Sequence, residues 1–222
     1  MSLTFYTISG APSPWRVTVG MAIKGIDCKI EMLSAASKDH KSERYLKLNP
    51  RGTVPTLVSD DIVLRDSVAI LAWLDRAYPE HPLFGQTNSE AAAIWQNTTE
   101  IVDYLPKAAS GILVPIFFNG AEDATDDLLQ AADTLKAELS NLETLLDERP
   151  FLSHARPSAA DAVAFPHIRL IQRAMDTKPQ IMNALGLANF GERFSNVESW
   201  IARMEMLPGI AQTFPPHWEE AA

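Results

Sequence analysis

A single cysteine, Cys28, occurs among 222 residues. That excludes an internal disulfide and a Cys-x-x-Cys redox pair, and it fits a reducing compartment. Runs of lysine or arginine are also missing. The chain has 19 basic against 28 acidic residues and a net charge of −9. It therefore has no generic attraction to nucleic acid or to an anionic bilayer. No stretch approaches the roughly 18 consecutive apolar residues of a membrane span. Met1-Ser2-Leu3-Thr4-Phe5 lacks the charged and apolar regions of a signal peptide. His81, His154, His167 and His217 are too scattered to suggest a metal site. There is no internal repeat and no low-complexity tract. What remains is a globular, cytoplasmic chain, 46% hydrophobic, with enough residues for one large domain or two small ones.

The most informative stretch that is present runs Asn49-Pro50-Arg51-Gly52-Thr53-Val54-Pro55-Thr56-Leu57, followed by Leu64-Arg65-Asp66-Ser67. A proline inside a strand-like run removes a ladder donor and belongs at an edge or a special bond. If Val54–Pro55 is cis, the amide and carbonyl of Val54 point sideways, ready to pair with a peptide. Ser67 heads an apolar helix, whose free backbone amides favour an anion. A peptide-pairing edge beside a carboxylate pocket suits a small peptide such as glutathione.

The chain has two halves with different patterning. Residues 1–80 alternate strand and helix signals. A strand over Leu3–Ile8 is broken by Gly10-Ala11-Pro12-Ser13-Pro14, and Trp15–Lys24 reads as a helix stopped at Gly25. Cys28–Met32 alternates as a strand, and Glu43–Leu48 makes a short helix. Thr56–Ser59 and Ile62–Leu64 form a hairpin around Asp60-Asp61. Val68, Leu71, Leu74 and Tyr78 then share a helix face. The order is βαβαββα. Pro79–Gly85 is the linker. Residues 87–222 contain no strand. Ala91, Ile94, Ile101, Val102 and Leu105 mark one helix, and Leu128, Ala132, Leu135, Leu139, Leu142 and Leu146 a second. Ser158-Ala159-Ala160-Asp161 opens a third with a capping box in which Asp replaces Glu. A further helix covers about 197–204.

These landmarks, in this order, resemble the cytosolic glutathione transferase family over nearly the whole chain. Trp15-Arg16-Val17 with Ile23-Lys24-Gly25-Ile26 is similar to the first helix of zeta-like members. His40-Lys41-Ser42-Glu43 leading to Tyr45-Leu46-Lys47-Leu48-Asn49-Pro50 is similar to theta-like members. Val54-Pro55 stands where the family has its cis-proline, Asp66-Ser67 matches its acid–serine pair, and Ser158-x-x-Asp161 its capping motif. The resemblance implies a thioredoxin-like N-terminal α/β domain and an all-α helical-bundle C-terminal domain. It implies a homodimer whose third and fourth helices face the partner, and glutathione as cosubstrate with no metal.

The same resemblance assigns roles. Val54, beside Pro55, pairs with the cysteinyl residue of glutathione. Ser67 holds the γ-glutamyl carboxylate and Asp66 faces the ammonium. His40 or Arg51 meets the glycyl carboxylate, and Thr53 stands where relatives carry Lys or Gln. Arg16 is a supporting residue. The acceptor pocket draws on the first loop and the fourth helix, with Trp95, Tyr104, Phe117 and Phe118 as candidates and Tyr104 singled out.

The thiol-activating position departs from the pattern. Counting back five from Arg16 reaches Ala11, which lines the site but donates no side-chain hydrogen bond. Three sources of the thiolate-stabilising hydrogen bond stay open: the hydroxyl of Ser13, that of Ser9 or Tyr6, or the backbone amides of Ala11 to Ser13. The implied activity is glutathione transfer to an electrophilic small molecule. Alternatives are a maleylacetoacetate isomerase-like reaction and a non-catalytic glutathione-binding scaffold.

Overall fold

The computed structural model describes residues 2–60 and 62–221. Asp61, in the expected hairpin turn, lies outside the described residues. The chain divides into two compact units, Met1–Phe84 with Leu207–Ala222, and Gly85–Met206.

In the first unit, strand β1 (Thr4–Thr7) leads through a loop to helix α1 (Pro12–Lys24), then to strand β2 (Lys29–Met32). A 3₁₀ turn (Asp39–Lys41) precedes helix α2 (Glu43–Leu48), capped by the Ser42 hydroxyl accepting from the Tyr45 amide. Strands β3 (Thr56–Val58) and β4 (Val63–Arg65) form the expected hairpin, and helix α3 (Ser67–Ala77) follows. The sheet order is β2-β1-β3-β4, parallel only between β1 and β2. This is the thioredoxin-like βαβαββα unit. Phe5, Val17, Met21, Leu57, Ile70 and Leu74 fill the core between the sheet and α1 and α3. Each such side chain contributes about 1.5–3 kcal/mol by leaving water.

Helix α1 starts at Pro12 rather than Trp15, because proline is tolerated in a first turn that lacks amide acceptors. It ends at left-handed Gly25, where the Ile26 amide closes back on the Met21 carbonyl at 2.9 Å. Gly20 lets α1 approach α3: a Cβ there would stand 2.2 Å from Leu71 Cδ2. Buried Lys24 donates to Asp75 Oδ1 (3.0 Å) and to the carbonyls of Glu80 and His81. Asp75 in turn accepts from the amides of Leu83 and Phe84. These bonds tie the linker to the first unit up to residue 84.

The second unit is helical: α4 (Asn88–Phe118), α5 (Asp126–Leu145), α6 (Ala159–Thr177), α7 (Pro179–Ala184), α8 (Phe190–Arg193) and α9 (Ser195–Glu205). Thr87 and Glu90 close a capping box on α4, and Ser158 and Asp161 close the one anticipated on α6. Helix α4 continues well past the Leu105 seen in the pattern, through Pro106 and Pro115. Contrary to the sequence expectation, α4 holds an 18-residue window of mean hydropathy 1.4, apolar and long enough by composition for a span. Its face of Ile94, Ile101, Leu105 and Ile112 is buried, and α4 packs on α5 and α6 inside the unit. Helices α7 and α8 carry no clear apolar period, so the sequence pattern does not mark them.

The chain beyond residue 206 groups with the first unit, whereas the sequence pattern places it with the helices. Trp15 Nε1 donates to Thr213 Oγ1 at 2.9 Å. Its ring meets Phe214 and Trp218 edge-on, at centroid distances of 5.3 and 5.2 Å.

Candidate active site

Three segments converge at one end of the sheet, and the strand register brings them there. Tyr6 pairs with Thr56, and Thr56 pairs with Arg65. Carried past the ladder, that register sets Val54 level with Ile8 on one side and with Ser67 on the other. The Val54–Pro55 bond is cis. Val54 is half-buried, and among the described residues its amide and carbonyl have no main-chain partner.

The loop that presents Val54 rests on a buried polar network. Tyr45 Oη donates to the Thr53 carbonyl (2.6 Å) and pairs with Thr56 Oγ1 (2.8 Å). Asn49 Nδ2 donates to the same carbonyl at 2.7 Å and to Thr56 Oγ1 at 3.3 Å. Burial raises the Tyr45 pKa, with the Thr56 and Asn49 hydrogen bonds opposing. Gly52 (φ 58°) packs against the His40 carbonyl, so the 39–41 turn and the 51–53 loop are brought together. His40 Nδ1 is buried and without a partner among the described residues, while Thr53 is exposed. In the sequence, Tyr45 and Asn49 stand only as landmarks. Their adjacency to Pro50 and Pro55 is the available signal for a role in holding the loop.

At α3, the Asp66 carboxylate caps its own helix: Oδ1 accepts from the amides of Val68 (2.9 Å) and Ala69 (3.2 Å). The Ser67 amide is left with no partner among the described residues. The Ser67 side chain is buried and accepts from Arg16 Nη1 at 3.4 Å. Burial draws the Arg16 pKa down to about 10, with Asp66 opposing, so the guanidinium is charged at neutral pH. A helix N-terminus, a free amide and a buried cation thus meet at Ser67, an arrangement suited to a carboxylate.

The start of α1 is unusually short of donors. Ala11 caps it without a side-chain bond, and the Ala11 amide is already donated to the Ile8 carbonyl at 3.1 Å. Pro12 and Pro14 have no amide hydrogen. The Trp15 amide bonds the Ala11 carbonyl. Of the first turn, only Ser13 offers both an amide and a hydroxyl without a partner among the described residues. The backbone alternative over Ala11 to Ser13 therefore narrows to one N–H. Tyr6 packs against Tyr45 (5.7 Å between centroids), and its register neighbours Phe5 and Thr7 face the opposite side, toward α1. Ser9 Oγ is already paired with His217 Nδ1 at 3.1 Å. Tyr104 lies on α4 and is 58% exposed. Among the described residues, no group of three or more His, Cys, Asp or Glu could hold a metal ion.

Beside Ala11 a groove of about 670 Å³ opens between α1, β2 and the returning C-terminus. Cys28 lines it, and burial, reinforced by Asp27, pushes its thiol pKa up to about 11. Because the thiol stays protonated below that pH, alkylation of the native protein by iodoacetamide at pH 8 is expected to run about 100-fold slower than that of a free thiol. Mass spectrometry of this sole cysteine reads the result directly. A rate equal to that of the urea-unfolded chain would refute the half-buried placement.

A thioredoxin-like sheet domain with a ligand-ready end, joined to an all-helical unit, is the architecture of cytosolic glutathione transferases. The glutathione S-transferase N-terminal domain family matches residues 11–77. Glutathione S-transferase 1 of Dianthus caryophyllus is 31% identical over 144 residues, 65% of each chain. Maleylacetoacetate isomerase of Dictyostelium discoideum is 39% identical over 80 residues, 35% of this chain and 36% of that one. Both matches thus span less than two thirds of the relative's own length. The crystal structure of a glutathione S-transferase from the Antarctic clam Laternula elliptica superposes with a TM-score of 0.84. It is 29% identical, and the match covers 99% of this chain and 95% of that one. The chain is thus similar to glutathione S-transferases, in its N-terminal domain by sequence and over its length by fold.

Proposed function

We propose that this protein binds glutathione at the converging sheet end and transfers its sulfur to an electrophilic small molecule. The observation that carries the reading is the meeting at one sheet end of Val54, whose main chain is unpartnered among the described residues, and the Ser67 helix start, with the Ser13 turn following from β1. In this reading the Ser67 amide and hydroxyl hold the γ-glutamyl carboxylate over Arg16, and Asp66 faces the ammonium. Val54 pairs with the cysteinyl backbone as an added strand does. Pro55 and Thr53 shape that edge, and His40 meets the glycyl end. Ala11 lines the thiol position, and the Ser13 hydroxyl donates to the sulfur.

The thiol loses its proton to solvent, and the helix N-terminus and Ser13 stabilise the thiolate. The sulfur lone pair then forms a C–S bond at the acceptor carbon, and the leaving group departs with its bonding electrons. Fixed orientation supplies much of the rate. The likeness to glutathione S-transferases supports a homodimer and a cytoplasmic setting.

Calorimetry tests the pocket. The Ser67→Ala variant is expected to bind glutathione about tenfold more weakly, equivalent to ~1.4 kcal/mol. An unchanged dissociation constant would remove Ser67 from the site. Turnover on a panel of electrophiles then separates a transferase from a scaffold that binds without reacting.

A second reading is cis–trans isomerisation, in which glutathione adds to a double bond and leaves again. The 39% identity to an isomerase and Trp15-Arg16-Val17 favour it. Production of a trans isomer with no net loss of glutathione would identify it.

A further inference from the structure

The turn that leads into Ser13 has little of its own to hold it. Ile8 to Ala11 form a tight turn closed by one main-chain bond, from the Ala11 amide to the Ile8 carbonyl at 3.1 Å, with Gly10 left-handed (φ 77°). Among the described residues, neither Ser9 nor Gly10 has a main-chain hydrogen bond. Helix α1 then begins without a side-chain cap, and Pro12 and Pro14 lie in its first turn. The cap that ordinarily fixes a helix start is thus missing.

Support comes from the other end of the chain. Gly209 lies against the last turn of α1, where a Cβ on it would stand 3.3 Å from the Ala22 methyl. Thr213 Oγ1 accepts from Trp15 Nε1, and Phe214 and Trp218 flank the same indole. The segment therefore runs back along α1 from its last turn to its first. At His217 it meets the unsupported turn. Nδ1 of His217 is paired with Ser9 Oγ at 3.1 Å, and the ring lies over Gly10, where a Cβ would stand 3.2 Å from Cε1. These contacts bracket Ser13 in the chain, at Ser9 and Gly10 before it and at Trp15 after it.

We propose that His217 is a positioning residue for the transfer reaction: it holds the turn between β1 and α1 so that the Ser13 hydroxyl and amide stay aimed at the sulfur. It acts through Ser9 and Gly10. Aim matters because a hydrogen bond weakens steeply once it bends, and small misplacements of an activating group cost rate. It matters more here because, of the first turn, only Ser13 offers both an amide and a hydroxyl without a partner among the described residues. The inference rests on the glutathione reading above for its chemistry, but the hold on the turn does not.

The hold is read first, on the protein without glutathione, as hydrogen exchange of the Ala11 amide by NMR. His217 is exposed, so its variants keep the core intact. In His217→Ala that amide is expected to exchange about tenfold faster. His217→Asn, whose amide group takes the place of Nδ1 opposite Ser9, is expected to stay within about twofold of the wild type. Exchange unchanged in the alanine variant, or equally fast in the asparagine variant, would overturn the hold through Ser9. Chemistry is read second, in the glutathione complex. His217→Ala is expected to lower both thiolate absorbance and kcat about fivefold, with the dissociation constant for glutathione within about twofold of the wild type. Ser9→Ala should cost the same, and the double variant no more than either, because each cuts one link. Unchanged thiolate absorbance in His217→Ala would overturn the positioning role. So would a loss in Ser9→Ala well beyond that in His217→Ala, which would make Ser9 itself the donor to sulfur. If glutathione fails to bind the wild type, the transferase reading fails, while amide exchange still decides whether His217 holds the turn.

Discussion

Replacing Asp161 by alanine is expected to lower the unfolding free energy by about 3–5 kcal/mol. Its carboxylate is fully buried and gathers four donors. Oδ1 accepts from the Leu152 amide (2.9 Å) and Trp200 Nε1 (2.8 Å), and Oδ2 from the amide and hydroxyl of Ser158 (both 2.8 Å). One side chain therefore caps α6, anchors the 150–158 loop and fixes the indole of α9. Burial raises its pKa, and these hydrogen bonds oppose the rise. Alanine would leave every one of the donors without this acceptor in a fully buried site. Asparagine is a milder change: its carbonyl oxygen keeps two acceptances, but its amide faces the Ser158 N–H, donor against donor. Chemical denaturation should therefore rank the wild type above Asp161→Asn, and that variant above Asp161→Ala, in midpoint. An alanine variant within about 1 kcal/mol of the wild type would show that the network contributes little.

The Ser13→Ala variant is expected to lose about 10–100-fold in kcat, with the dissociation constant for glutathione nearly unchanged. The size follows from the poverty of the α1 start. Ala11 has no side-chain donor and has already given its amide to Ile8, while Pro12 and Pro14 have none. Without the hydroxyl, a single N–H and the helix dipole would face the sulfur. The pKa of the bound thiol should accordingly rise, so the thiolate absorbance of the complex at neutral pH should fall. Unchanged absorbance would transfer the role to another donor, with the Ser9–His217 pair next to be tested.

Local signals in the chain are legible because their physics is local. Ser158 caps its helix where expected, Gly25 ends α1 in a left-handed turn, and the Leu128–Leu142 spacing marks the buried face of α5. The order of Val54, Pro55, Asp66 and Ser67 also points to one place, since a hairpin necessarily returns its ends to the same edge. Other features depend on contacts far apart in sequence. Nothing near Arg16 announces its burial against Ser67, and nothing near Trp15 announces that residues 208–218 fold back onto it. Proline is disfavoured in a helix interior, yet α4 carries both Pro106 and Pro115. The prolines flanking Ser13 are visible in the sequence, but their meaning lies in the amides they remove, and that emerges only once the helix is seen to begin at Pro12.

Gly20 bears on all of this from the middle of α1. With hydrogen in place of a methyl group, the helix lies against fully buried Leu71 with no room to spare. Arg16, one turn earlier on that side, reaches Ser67 only because the two rods are this close. In the proposed glutathione reading, the span from the Ser13 turn to the Ser67 turn is thus a ruler whose length is set by the smallest side chain available. Any bulk added there would lengthen the ruler and leave a tripeptide of fixed reach unable to touch both marks.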